Sequence, residues 1–114
     1  MNNIILEKSF DFSVESSKYY KKYLKKHGFI ILNQFLRSAT SIGANIREAQ
    51  FAQSKKDFIS KMSIALKEAS ETEYWLKILK SIDEEDSEEL TFLLNKCIEI
   101  NKILISILKK ISTP

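Results

Sequence analysis

Four glutamates in the middle of the sequence are the side chains best suited to chemistry: Glu48, Glu68, Glu71 and Glu73. In four-helix bundles that hold two irons, some glutamates act together with a histidine three residues further along the same helix. No such Glu-x-x-His pair exists here, because the only histidine, His27, stands well before them. Two of the glutamates could still act as an acid and a base, but nothing in the sequence marks a pocket around them.

The other reactive side chains also lack partners in the sequence. His27 precedes Gly28 where a helix should end, so a role at a turn or helix terminus is favoured over catalysis. Cys97 is the only cysteine, which excludes an internal disulfide and a cysteine-based zinc motif and suits a reducing compartment. No glycine-rich phosphate loop occurs either. We therefore predict a protein that is not an enzyme, that has no metal or other cofactor, and that is cytoplasmic.

The lysines near residue 20 suggest a second kind of chemistry, nucleic-acid binding. Helical spacing places five of them on one side of a helix: Lys18, Lys21, Lys22, Lys25 and Lys26. Residues 1–80 carry fourteen Lys and Arg against eight Asp and Glu, whereas residues 81–114 carry four against seven, and the net charge is +3. A basic face for an acidic partner and an ordinary solvated surface both fit this distribution.

Helices must position these side chains, because the 114-residue chain has only two glycines and its one proline is the last residue. Apolar residues recur at alternating steps of three and four in successive stretches, the spacing of helices that pack along a narrow stripe. We predict an all-α fold, an antiparallel up-down four-helix bundle forming a single domain over residues 1–114. The predicted helices lie near residues 11–26, 30–52, 54–81 and 87–112.

Residues 1–9 show no clear period, so an extended or frayed lead-in is expected there. Gly28 should end the first helix in a left-handed conformation. Ser54 is expected to cap the third helix, with Asp57 in its first turn. An acidic connector, residues 83–89, should precede the fourth.

Each helix has a stripe of residues expected to face the core. In the second helix the stripe is Leu32, Phe35, Ala39, Ile42, Ile46 and Ala49. In the third it is Phe58, Met62, Ala65, Ala69, Thr72, Leu76 and Leu79. In the fourth it is Leu90, Leu94, Cys97, Asn101, Leu104, Leu108 and Ile111.

The fourth helix has more apolar residues than one core needs. Leu93, Ile100 and Ile107 form a second row, and Ile98 and Ile105 add to it. We expect these side chains to leave an exposed patch that joins copies of the chain. Glu7, Lys8 and Asp11 interrupt the start of the chain and no long apolar run exists, so neither a secretory leader nor a membrane span is predicted.

The second helix has an unusual middle, residues 38–45, in which nearly every side chain is small. Gly43 costs about 1 kcal/mol of helix propensity relative to alanine. Such a run allows another helix to approach closely, which is the favoured interpretation. The alternative is a floor of small residues beneath a ligand.

The central sequence resembles a bacterial family of four-helix-bundle proteins, some of which are encoded by intervening sequences in large-subunit ribosomal RNA genes. The similarity lies in residues 34, 36–39, 41–46, 48–49, 54, 57–59, 65–69, 71–72 and 74–76. The chain departs from the family at residues 47–50, where Arg-Glu-Ala-Gln replaces a run of Ala-Glu-Gly. The end of the second helix should therefore be more continuous.

The resemblance implies a homopentamer, a tapered barrel around a central channel, without an established activity. It carries no catalytic residue over to this chain. The motif positions implied to act in helix packing are Ser41, Gly43, Asn45, Glu48, Glu68 and Glu71.

Related retroelement proteins bind nucleic acid and a reverse transcriptase. The sequence thus favours a non-enzymatic oligomeric scaffold or adaptor, with weak binding to RNA or DNA through the five lysines. The alternatives are an accessory protein for a reverse transcriptase and a scaffold for another protein without a nucleic-acid role.

Overall fold

The computed structural model describes residues 4–82 and 87–112, which form four α-helices and no strand. They are α1 (Ile4–His27), α2 (Phe29–Ala49), α3 (Lys55–Ile82) and α4 (Ser87–Ser112). Each helix packs against the next in the chain, and α1 closes the bundle against α4 in the least extensive of the four contacts. The molecule is 47 Å long and about 20 Å wide. The predicted all-α four-helix architecture is confirmed.

The core is formed by the predicted stripes. All six stripe residues of α2 are buried, and so are those of α3 from Met62 onwards, while Phe58 is half-buried. Along α4 the prediction holds only in part: Leu90, Cys97 and Leu104 are buried, whereas the other four residues of the predicted stripe are half-buried. Burying these side chains supplies most of the stability of such a bundle, because short isolated helices are only marginally stable in water.

The first helix begins at Ile4, not near residue 11, so the expected extended lead-in is wrong for residues 4–9. Residues 1–3 of it lie outside the described part of the chain. The buried stripe of α1 alternates apolar and small polar residues: Ile5, Ser9, Phe12, Ser16 and Tyr19. Because two of these core positions are serines, the apolar residues alone do not show the helical period. The charged residues between the serines are exposed to solvent.

The early start of α1 also explains why the predicted patch on α4 does not form as expected. Leu93 and Ile100 are buried and Ile107 packs against the core, because α1 lies along this side of α4. Lys8 Nζ, 3.2 Å from Glu99 Oε2, ties the two helices together beyond the predicted start of α1. Only Ile105 of the predicted set is clearly exposed, at 42%.

The turn between α1 and α2 is made by Gly28, which has the predicted left-handed conformation with φ of 77°. Its N–H donates to the carbonyl oxygen of Leu24 at 3.1 Å, which satisfies one of the last carbonyl groups of α1.

The second helix ends at Ala49, three residues earlier than predicted, and the expected continuity after residue 49 is not seen. The N–H groups of Gln50, Phe51 and Ala52 donate to carbonyls three residues back, which tightens the chain into a turn. Ser54 then caps α3 as predicted, accepting from the Asp57 N–H at 3.0 Å. Residues 83–86 of the acidic connector lie outside the described residues.

Candidate functional site

Arg37 and the predicted motif glutamates form a polar cluster between α2 and α3. The Arg37 guanidinium donates to Glu68 Oε1 at 3.2 Å, to Glu71 Oε2 and to Gln34 Oε1 at 3.2 Å. One positive group therefore binds both carboxylates, each from a different turn of α3. Such an arrangement fixes the two helices against each other.

Trp75 adds a second donor to the cluster. Its indole Nε1–H donates to Glu71 Oε2 at 2.9 Å, and the Tyr74 ring lies edge-on to the indole with centroids 5.1 Å apart. Glu71 is thus bound by a cation and by a neutral N–H at once. Both donors reach the same carboxylate oxygen, so they fix the position of the Glu71 side chain.

The other motif residues on this side of α2 also form structural bonds. Ser41 Oγ donates to the Arg37 carbonyl and Asn45 Nδ2 donates to the Ser41 carbonyl, both at 2.8 Å. Glu48 Oε1 lies 3.0 Å from Lys61 Nζ, and this hydrogen bond raises the pKa of the lysine. Glu73, the fourth candidate glutamate, faces α4 instead, where it accepts from Asn101 Nδ2 at 3.2 Å. The four glutamates do not share a pocket.

Beneath the polar cluster lies a buried hydroxyl pair that the sequence analysis did not identify. Thr72 Oγ1 is 2.8 Å from Ser38 Oγ and 2.7 Å from the carbonyl oxygen of Glu68. Both residues are fully buried. The signal was present in the sequence, since both are small polar residues at core positions of their helices.

Gly43 faces the opposite side of α2, towards α1. A Cβ at this position would lie 3.2 Å from Ser13 Oγ and 3.3 Å from the carbonyl oxygen of Ser9. Small residues therefore face each other across the α1–α2 contact, as the favoured interpretation of the small run requires. A groove of about 550 Å³ runs beside this contact, bordered by Phe10, Gly43 and Arg47 among others.

The five predicted nucleic-acid lysines have different environments. Lys22 Nζ lies 3.1 Å from Glu89 Oε1 on α4, and Tyr23 donates its hydroxyl proton to the same oxygen. The bond from Tyr23 is the main reason that the pKa of Glu89 is lowered, and the bond to Glu89 raises the pKa of Lys22. Lys18 lies 3.9 Å from Glu15.

The remaining three lysines are also exposed. Lys26 lies over the Tyr23 ring, with its Nζ 5.9 Å from the centroid. Lys21 and Lys25 form no ion pair within the described ranges. The lysines thus share one helix, and neighbouring carboxylates partly neutralise Lys18 and Lys22 among them.

The outer side of α1 also carries large apolar residues, which sequence reasoning missed because Phe10 lay next to the supposed lead-in. Phe10 is 65% exposed and Val14 is 36% exposed. Phe92 of α4, 49% exposed, borders the same groove as Phe10 and Val14. Within residues 4–82 and 87–112, no cluster of His, Cys, Asp and Glu side chains could hold a metal ion. Across those same ranges no helix combines the length and apolarity that a membrane span requires.

A family model described as 23S rRNA-intervening sequence protein matches residues 1–106. The chain belongs to this family. The resemblance predicted from the central blocks is therefore confirmed, and it extends over nearly the whole chain. None of the curated proteins matches.

One solved structure of a related family protein shares the fold. It is a protein of unknown function from the S23 ribosomal protein family of Bacteroides thetaiotaomicron VPI-5482, 48% identical in sequence with a TM-score of 0.88. The similarity covers 93% of this chain and 99% of the other. This member of the family thus shares its four-helix fold with a relative of unknown function.

Proposed function

We propose that this chain is a non-enzymatic scaffold or adaptor that assembles with copies of itself, in rings of five as the family resemblance implies. The observation that carries this proposal is the exposed apolar group Phe10, Val14 and Phe92 on the α1–α4 side. Contiguous apolar side chains on a small protein generally mark an interaction surface. The motif carboxylates give no support to catalysis, since Glu48, Glu68 and Glu71 are held in ion pairs.

The mass of the protein in solution tests this proposal. Five chains of 13.2 kDa give about 66 kDa, so light scattering at micromolar concentration should give this mass or a multiple of it. Phe92→Ser should weaken the assembly because it removes apolar contact area. Phe51→Ser is the matched control, because Phe51 is 76% exposed at the α2–α3 turn and borders neither of the two grooves beside Phe10. A parent protein that stays monomeric would refute the scaffold proposal.

Binding to a structured RNA is a second candidate function, favoured by Lys25. This lysine is exposed and forms no ion pair with any described residue, so its charge is available to a phosphate. In an assembly the same lysine recurs on every chain, and several weak contacts together can hold one polyanion. The binding would be independent of sequence and would weaken steeply with salt. Accessory binding to a reverse transcriptase, which the resemblance also implies, stays a prediction.

Lys25→Gln should lower the affinity for RNA and reduce its dependence on salt, because fewer counterions are released on binding. Lys67→Gln is the control, an exposed lysine on α3 with no ion pair among the described residues. Lys18 and Lys22 are less suitable targets because they contact Glu15 and Glu89. Gel shifts over a salt series measure the effect. If both variants lose the same affinity for RNA, or if the parent binds no RNA at about 50 mM salt, Lys25 is ordinary solvated surface.

A further inference from the structure

The outer side of α1 is divided into an acidic end, an apolar centre and a basic end. We call this set of residues the outer face of α1: Glu7, Phe10, Asp11, Val14, Lys18 and Lys21. Along the helix the two acids alternate with the two apolar residues, in the order Glu7, Phe10, Asp11 and Val14, and the two lysines follow them. When a second copy of such a helix lies antiparallel to the first, its basic part faces the acidic part of the first helix.

The charged residues of this face form few ion pairs with other described residues of the chain. Glu7, Asp11 and Lys21 are exposed, and none of them pairs with another of the described residues. Lys18 has only the Glu15 carboxylate at 3.9 Å, at the outer limit of an ion pair. Phe10 and Val14, the apolar residues of this face, are both exposed to solvent. The face therefore has both the apolar area and the free charges that an interface needs.

The spacing along the helix is symmetric about Val14. Glu7 and Lys21 each stand seven residues from it, which is nearly two turns, so the three residues share one line on the helix. At a rise of 1.5 Å per residue, each charge lies about 10 Å from Val14, on opposite sides. Asp11 precedes Val14 by three residues, and Lys18 follows it by four. An antiparallel copy centred on Val14 therefore places each acid opposite a lysine.

We propose that α1 pairs with α1 of a second copy of this chain, antiparallel, with Val14 on the two-fold axis. This inference rests on the proposed self-assembly and goes beyond it: a two-fold contact cannot close a ring, so it assigns Phe10 and Val14 to pairing and leaves Phe92 to the ring. Glu7 then faces Lys21 of the second copy, and Asp11 lies beside Lys18 of the second copy. Phe10 packs across the centre against the apolar part of the opposite helix.

The surroundings of α1 leave space for this contact. A groove of about 550 Å³ lies on the α2 side and one of about 460 Å³ on the α4 side, and Phe10 and Asp11 border both. Side chains of a second helix can enter such grooves as ridges enter the furrows between neighbouring helices.

Exchange of charges tests the pairing. Glu7→Lys with Asp11→Lys, and separately Lys18→Glu with Lys21→Glu, should each weaken pairing by about tenfold or more, because like charges then face each other. An equal mixture of the two variants should restore pairing between unlike chains, which simple loss of folding cannot explain. Lys67→Glu with Lys102→Glu, two exposed lysines elsewhere, gives the same charge change as a control. A mixture that pairs no better than its components overturns the proposal.

Cysteine cross-linking tests the register. In the proposed pair two Val14→Cys thiols meet at the axis, so mild oxidation should link them. Two Lys25→Cys thiols would be about 33 Å apart along the helices and should not link. Cross-linking of Lys25→Cys to the same extent as Val14→Cys overturns the antiparallel register.

The mass separates this inference from the proposed ring, because a two-fold contact joins chains in pairs. Two chains give about 26 kDa and support the pairing alone, whereas five give about 66 kDa and support the ring alone. Ten chains, about 132 kDa, support two rings joined through α1. A monomer overturns both.

Discussion

Gly43→Leu should lower the melting temperature of the protein by about 8 °C. A side chain at this position meets Ser13 Oγ and the backbone oxygen of Ser9, and the backbone cannot move aside without displacing α1. Overpacking costs about 1–3 kcal/mol, and the four added carbon atoms of leucine against a helix backbone place this site at the upper end; the better helix propensity of leucine returns up to about 1 kcal/mol. For a domain of this size a net loss of about 2 kcal/mol corresponds to the stated temperature change.

Ala44→Leu is the matched control for this prediction, because Ala44 is the next residue of α2 and is exposed. It should leave the melting temperature within about 2 °C of the parent, as surface substitutions usually do. Thermal melting followed by circular dichroism at 222 nm, the band that reports helix, compares the two variants. If both melt alike, α1 does not approach Gly43 as closely as the structure indicates.

Cys97 should react with iodoacetamide at least about a thousandfold more slowly in the folded protein than in the unfolded chain at pH 8. The thiol is fully buried, and it donates to the carbonyl oxygen of Ala69 at 3.3 Å. Burial, and secondarily the negative charge of Glu73, raises the pKa of Cys97 to about 12. Because the pKa is raised, the reactive thiolate is scarce at neutral pH and becomes abundant only in strong alkali.

A second cysteine introduced by Ser106→Cys provides an internal reference for this measurement. Ser106 is exposed on the same helix, so its thiol should react at an ordinary rate while Cys97 stays unmodified. Mass spectrometry of the digested chain separates the two sites, and denaturant should make both react. Rapid modification of Cys97 in the folded protein would show that α4 does not stay packed against α3.

The extent and the buried faces of α2 and α3 could be predicted because their sequences have a regular apolar spacing and clear signals at the helix ends. Their stripes contain apolar or very small residues at nearly every core position, and Gly28 and Ser54 have clear chemical reasons to end or begin a helix. The direction of the Gly43 contact could not be predicted. A small residue indicates that something approaches closely, but it does not say which helix does so.

The start of α1 was not predicted because Ser9 and Ser16 occupy core positions at which a helical stripe normally has apolar residues. That error contributed to the next one, since the first turns of α1 lie beside Ile100 of α4. The polar cluster was also beyond sequence reasoning. Arg37 is more than thirty residues from Glu68 and Glu71, so only the packing of α2 on α3 brings their charges together.

The contact between α1 and α4 has a kinetic consequence. The other three helix contacts join neighbours in the chain, whereas α1 can reach α4 only across the whole of α2 and α3. Closing a longer loop costs more conformational entropy, so we expect the contact that covers Leu93 and Ile100 to be the last of the four to form. During synthesis and refolding, these two side chains therefore stay in water longest. That interval is when a partly folded chain is most prone to aggregate with its neighbours.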